Sequence, residues 1–240
     1  MSDEAIPRRR FLTVAGAAAA TSVALPLPAN AQQPQATPAS AAPPAQAGAR
    51  SEPPLILSPT ENAFVQAVVD TLIPADELTP SGTDCGVAAF IDRQLAGAYG
   101  RGARMYRSGP FMAGKPEHGY QLSLTPYEFI RAGIEAANAW TRKTRGKEFD
   151  RLTPAERDAV LKDMDAGKAE FPNAKAFFEQ LYALTMEGFF ADPIYGGNKD
   201  KAAWKMIGYP GLPANYGGGR ALEYRGKKLS LETKSIADFS

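Results

Sequence analysis

Three stretches of the chain repeat one local pattern. Ser58-Pro59-Thr60-Glu61, Thr125-Pro126-Tyr127-Glu128 and Thr153-Pro154-Ala155-Glu156 each set a hydroxyl, then a proline, then a glutamate. The hydroxyl accepts a hydrogen bond from the free amide at the third helical position, and the glutamate reaches back to the cap amide. Proline occupies the one place where a missing N–H costs nothing. Leu124 and Phe129 flank the second box and are placed for a hydrophobic staple. Behind the boxes, apolar residues recur at helical spacing: Phe64, Val65, Val68, Val69 and Leu72, then Ile130, Ile134, Ala137 and Trp140, then Val160, Leu161 and Met164. No segment alternates at period two for long. The expectation is an all-α fold: a single compact helical domain with long Gly/Pro-rich loops and an extended C-terminal tail. The boxes are irregularly spaced, so no repeat is inferred.

The connections carry the first candidates for chemistry. Asp76, Glu77 and Asp84 lie in a loop after Pro74, where turn and cap roles outweigh a metal or acid/base cluster. Cys85 stands just before a helix expected over residues 86–95. A helix start rich in free amides lowers a thiol pKa, which makes Cys85 a candidate intersubunit thiol; the alternative is a small buried residue. Residues 99–122 form a long Gly-rich connection with Arg101, Arg104 and Arg107, read as a binding loop for an anion or a subunit. His118, the lone histidine, lies in the same loop.

Residues 181–213 hold an unusual density of rings. A helix beginning near Pro172 carries Phe177, Phe178, Leu181, Tyr182, Met186, Phe189 and Phe190 around more than one face, as a central helix does. Asp192-Pro193 ends it, Gly196-Gly197 turns the chain, and Asn198 caps a short helix with Trp204, Met206 and Ile207. The candidate partner-facing residues are Asp192, Tyr195, Gly196, Gly197, Asn198, Tyr209, Pro210, Leu212 and Tyr216. Residues 209–240 read as a tail that Pro and Gly keep from folding on itself, with rings enough to wrap a partner.

Ligand counts limit the chemistry. One Cys and one His cannot supply a c-type haem site, an iron–sulfur cluster or a structural zinc site. Neither Gly196-Gly197 nor Gly217-Gly218-Gly219 has the spacing of a dinucleotide fingerprint. No catalytic, cofactor-binding or metal residues are assigned. A net charge of +1 gives no electrostatic case for nucleic acid.

Residues 1–31 read as an address. Arg8 and Arg9 form a twin-arginine pair, Phe11 and Leu12 follow at the expected offset, and Ala29-Asn30-Ala31 fits a cleavage site. Residues 32–54 form a Pro/Ala/Gln linker too polar to order itself, and residues 55–240 are assigned to the domain. The twin-arginine translocase moves folded proteins, so the signal implies a periplasmic destination. On a chain without a cofactor set it also implies a carrier for a partner.

DTLIPADELTPSGTDCGVAAFIDRQLAG, YRSGPF, PEHGYQLSLTP and FFEQLYALTMEGFFADPIYGGNKDKAAWKMIGYPG together resemble the gluconate 2-dehydrogenase subunit 3 family. The resemblance implies a small, non-catalytic subunit of a membrane-associated dehydrogenase of sugars or sugar acids. It implies a large flavoprotein partner carrying FAD, and a multi-haem cytochrome c partner carrying haem c. It further implies that the small subunit helps the large one mature and be exported. Two other readings compete. One is a self-contained periplasmic hydrolase using Asp76 with Asp92, or Glu187 with Asp192. The other is a haem or metal carrier with His118 as ligand.

Overall fold

The computed structural model describes residues 53–112, 114, 115, 118, 120–213, 215, 220–227 and 231–239. The twin-arginine segment, nearly all of the linker, the Gly217–Gly219 run and Tyr216 lie outside the described residues. Among the described residues seven α-helices are seen: α1 (Pro59–Leu72), α2 (Val87–Ala96), α3 (Pro126–Arg145), α4 (Pro154–Asp165), α5 (Ala174–Phe190), α6 (Ala202–Ile207) and α7 (Arg220–Glu223). No strand occurs among the described residues, and the all-α expectation holds.

Each of the three boxes starts a helix. Ser58, Thr125 and Thr153 accept from the amides of Glu61, Glu128 and Glu156, and each glutamate returns a bond to the cap amide at 2.7 Å, 2.7 Å and 2.8 Å. These amide bonds hold the Glu128 and Glu156 carboxyls below the ordinary carboxylate range. Glu61 does more than cap: its other oxygen meets Arg131 at 3.0 Å and ties α1 to α3.

α5 is central, in contact with α1, α2, α3, α4 and α6. Its rings explain why. Phe177 is fully buried and packs against Phe64 of α1 and Phe171, with ring centroids 6.1 Å and 6.3 Å apart. Phe64 continues to Phe149 at 4.8 Å, and Phe171 to Trp140 at 6.0 Å. The helices therefore close around a connected line of rings, each pair offset or tilted as aromatic quadrupoles prefer. Leu181, Leu184 and Phe189 are buried along the same helix, whereas Phe178 and Tyr182 are only half-buried and Phe190 is exposed.

Two buried polar groups hold the irregular parts. Asn138 on α3 accepts from the Phe149 amide at 3.1 Å, seating the turn Phe149–Arg151 that feeds α4. Asp92, inside the apolar helix α2, accepts from the amides of Leu55, Ile56 and Leu57 and fastens the start of the domain. A three-amide ligation of this kind makes a buried carboxylate tolerable.

Gly133 of α3 is where α5 comes closest: a Cβ there would lie 2.1 Å from the Phe177 ring. Gly133→Ala is expected to lower stability by ~1–3 kcal/mol through overpacking, read as a fall in Tm of roughly 2–10 °C. Adding Phe177→Leu is expected to recover part of that loss; a Gly133→Ala protein melting like the parent would contradict this packing.

Candidate partner surface around the DPIYGGN loop

The loop between α5 and α6 is fixed by its own polar residues. Asp192 caps the turn Pro193–Tyr195 by accepting from the Ile194 amide at 3.0 Å. Asn198 sits in the left-handed region, φ 48°, which Asn tolerates better than most residues. Its side chain donates to the Ala191 carbonyl and accepts from the Ala203 amide, both at 2.9 Å. That one buried amide group closes the loop from end to end. The Lys199 amide donates to the Cys85 carbonyl at 2.9 Å, and the Trp204 indole donates to the Phe190 carbonyl at 2.9 Å.

Gly197 is demanded by close approach of backbone, and Gly196 by its backbone angle. A Cβ on Gly196 would lie 2.5 Å from the Arg93 guanidinium, and one on Gly197 would lie 2.1 Å from the Gly188 carbonyl oxygen. Gly196 also has φ +98°, open to glycine without strain. The loop is thereby pressed between α2 and the end of α5.

Its outward side is apolar. Ile194 and Tyr195 are exposed, and so are Phe190, Ile207 and Tyr209 from the adjoining elements. The Tyr209 ring meets Trp204 edge-on at 5.2 Å, which props it at the surface. The polar residues Lys199, Asp200 and Lys205 lie exposed in the same stretch. An apolar centre with a polar fringe is the anatomy of a protein–protein contact.

The sequence candidates therefore divide. Tyr195 and Tyr209 are exposed, with Asp192, Gly196, Pro210 and Leu212 half-exposed beside them. Gly197 and Asn198 are buried and spend their contacts inside the chain, so they shape the loop instead of facing outward. Sequence reading missed Ile194, although its neighbours were singled out. The signal for it was the cap: with Asp192 as cap, the short turn exposes both Ile194 and Tyr195.

The tail also departs from expectation. Residues 231–239 do fold back on the chain: the Lys234 amide donates to Pro210, and the Leu212 amide to the Lys234 carbonyl, at 3.0 Å and 2.9 Å. Pro210 lacks a donor but its carbonyl is free to accept, which the expectation overlooked. A shallow cleft of about 290 Å³ lies alongside, lined by Leu212, Pro213, Tyr224, Leu231, Glu232 and Lys234.

Cys85 is another correction. It is buried, its thiol faces the Pro80 carbonyl at 3.6 Å, and its pKa is pushed up to about 11. Burial is the main cause, followed by the negative charges of Asp84, Asp200 and Asp70. The helix start behind it does not offset these. The thiol is therefore closed to a partner's cysteine in the folded chain.

The remaining candidates do not assemble into a reaction centre. Asp92 has its oxygens on three backbone amides, and Asp76 accepts from Leu78 and Thr79 in its own turn. Asp192 has one oxygen on Ile194 and the other on the Ile236 amide. His118 is exposed, and its Nδ1 accepts from the Lys115 amide. Arg107 turns onto the Ser123 carbonyl and Glu128, while Arg101 and Arg104 point to solvent, so the three do not converge on one anion. Among the described residues no three His, Cys, Asp or Glu side chains group as metal ligands, and no helix is long and apolar enough to cross a membrane.

Compared with known proteins, residues 59–211 match the family described as gluconate 2-dehydrogenase subunit 3. No curated protein and no solved structure matches. The matched span contains the central helix, the whole loop and every box except Ser58, the cap of the first.

Two outcomes are expected. Cys85 should resist alkylation in the native chain at pH 8 and react at once in denaturant. Because its folded pKa lies above the unfolded one, its contribution to stability is complete below about pH 9 and is lost as pH rises toward about 11. Reaction of the native thiol at the rate of a free cysteine would refute the burial. Asn198→Gly, which accepts the left-handed backbone, should cost ~2–4 kcal/mol by stripping two bonds, whereas exposed Tyr195→Ala should leave the melting curve within ~0.5 kcal/mol of the parent. Equal effects in calorimetry would contradict this division.

Proposed function

This chain belongs to the gluconate 2-dehydrogenase subunit 3 family, and from that premise we propose that it is the non-catalytic small subunit of a periplasmic, flavin-dependent sugar or sugar-acid dehydrogenase. It holds the catalytic flavoprotein through the face built by Ile194, Tyr195 and Tyr209, and carries it across the membrane on its own twin-arginine signal. A subunit has partner subunits by definition. In this reading the partners are the FAD-bearing large subunit, the translocase, and a multi-haem cytochrome c that takes the electrons onward.

The single observation behind the proposal is the division of the loop. Within the family-matched span, the polar residues of DPIYGGN bond inward while its large apolar residues stay exposed. A loop stabilised without its largest side chains leaves them available for another surface. The hydrolase alternative finds less support, since Asp76, Asp92 and Asp192 are all engaged by backbone amides.

Export gives the test. With Arg8→Lys and Arg9→Lys together, the flavoprotein should accumulate in the cytoplasm with the subunit, and acceptor-linked sugar oxidation should vanish from the periplasmic face. Normal export of the flavoprotein beside the doubly substituted subunit would end the escort role. Separately, Tyr195→Ala should lower the flavoprotein co-purified with a tagged subunit about tenfold, the loss of ~1–2 kcal/mol that a peripheral-to-central aromatic anchor brings.

A further inference from the structure

The C-terminal segment 231–239 is clasped at three points, one on the DPIYGGN loop and two on the chain that follows it. The Gly211–Lys234 bridge pairs it with the chain leaving α6. The second oxygen of Asp192 accepts from the Ile236 amide at 2.9 Å. Lys201 grips Asp238 at 2.8 Å and 3.1 Å, and Asp238 in turn accepts from the Ser235 amide at 2.8 Å. Asp192 thus joins both halves: one oxygen starts the turn Pro193–Tyr195, the other holds the turn Ile236–Phe239.

The clasp is polar throughout, which leaves its apolar residues unspent. Ser235 is the buried member of the segment, while Ile236 is 43% and Phe239 71% exposed. The turn Ile236–Phe239 lies against the turn Pro193–Tyr195, so these two side chains extend the apolar area begun by Ile194 and Tyr195. A segment held only to finish a fold would bury its ring. Here main-chain bonds and a surface ion pair fasten the segment, while the ring and the isoleucine stay exposed.

We propose that residues 231–239 are the second half of the partner surface: a clasp that locks the DPIYGGN loop and adds Ile236 and Phe239 to the contact with the flavoprotein subunit. This rests on the reading of the chain as that subunit's escort. The occupant follows from continuity. The clasp and the loop form one apolar area, and the loop half lies in the span matched to a dehydrogenase subunit, so one chain covers both. The clasp itself lies beyond that span, which ends at residue 211, so it is an addition to the surface that the matched span alone would provide. Ile236 and Phe239 call for an apolar recess on the partner beside the one that receives Tyr195.

The complex purified through a tag on the full-length chain tests this, with flavin released per tagged subunit as the readout. Three proteins are compared: a chain ending at Thr233, the full chain with Ile236→Ser and Phe239→Ser, and Tyr195→Ala. The double serine variant keeps the clasp bonds and the parent Tm while flavin recovery drops about tenfold; the shortened chain loses at least as much. Should the shortened chain fold poorly, the serine variant decides alone. Parental flavin recovery from the serine variant, with Tyr195→Ala impaired, would overturn the clasp proposal and leave the escort reading standing. Parental recovery from Tyr195→Ala as well would remove the loop face itself.

Discussion

The contact on which the exposed apolar face of the loop depends is the approach of backbone to backbone at Gly197, next to Gly196 with its φ of +98°. Gly197 comes so near the Gly188 carbonyl that no side chain fits, and Gly196 lies under the Arg93 guanidinium. Without that approach the loop would stand away from α2 and α5. Asn198 would then lose its reach to both Ala191 and Ala203. The Lys199 amide would also leave the Cys85 carbonyl, and Asp192 would no longer face Ile236. Burial of the central helix fixes where the loop begins; the two glycines fix how closely it returns.

From this follows a separation of tasks within a few residues. Stability comes from the line of rings Trp140, Phe171, Phe177, Phe64 and Phe149, of which the fully buried Phe177, Phe64 and Phe149 are each worth ~3–5 kcal/mol against truncation. The loop contributes local order through directional bonds, which cost little to form because Asn198, Asp192 and the caps act on nearby amides. Its exposed apolar residues contribute little to the fold, and so are free to serve recognition. A surface held rigid beforehand loses less entropy on association than one ordered by its partner.

Much of the fold was legible in the sequence because its signals are local. A hydroxyl, a proline and a glutamate decide a helix start within four residues, and all three boxes did so. The ring-rich stripe of α5 likewise announced a helix packed on several sides. What stayed hidden depends on distant neighbours. Cys85 has a helix start behind it, yet the acidic residues Asp70, Asp84 and Asp200 and its burial set its pKa. Asn198 reads as an exposed cap until Ala191 and Ala203 close around it. Asp92 appears as a stray charge on an apolar helix until the amides of residues 55–57 arrive. The return of residues 231–239 depends on Lys201 and Asp192, more than thirty positions away, and no local pattern marks it. The ring-rich loop was therefore visible in the sequence, but which of its residues are exposed had to be sorted by burial.

Amide hydrogen exchange on the chain, alone and co-purified with its partner subunits, probes the exposed face of the loop and clasp. Slowed exchange on assembly is expected at residues 190–198, 207–212 and 235–239, with the amides of α3 and α4 unchanged. Protection confined to α3, α4 or the loop at residues 99–122, with the DPIYGGN loop exchanging as in the free chain, would contradict it.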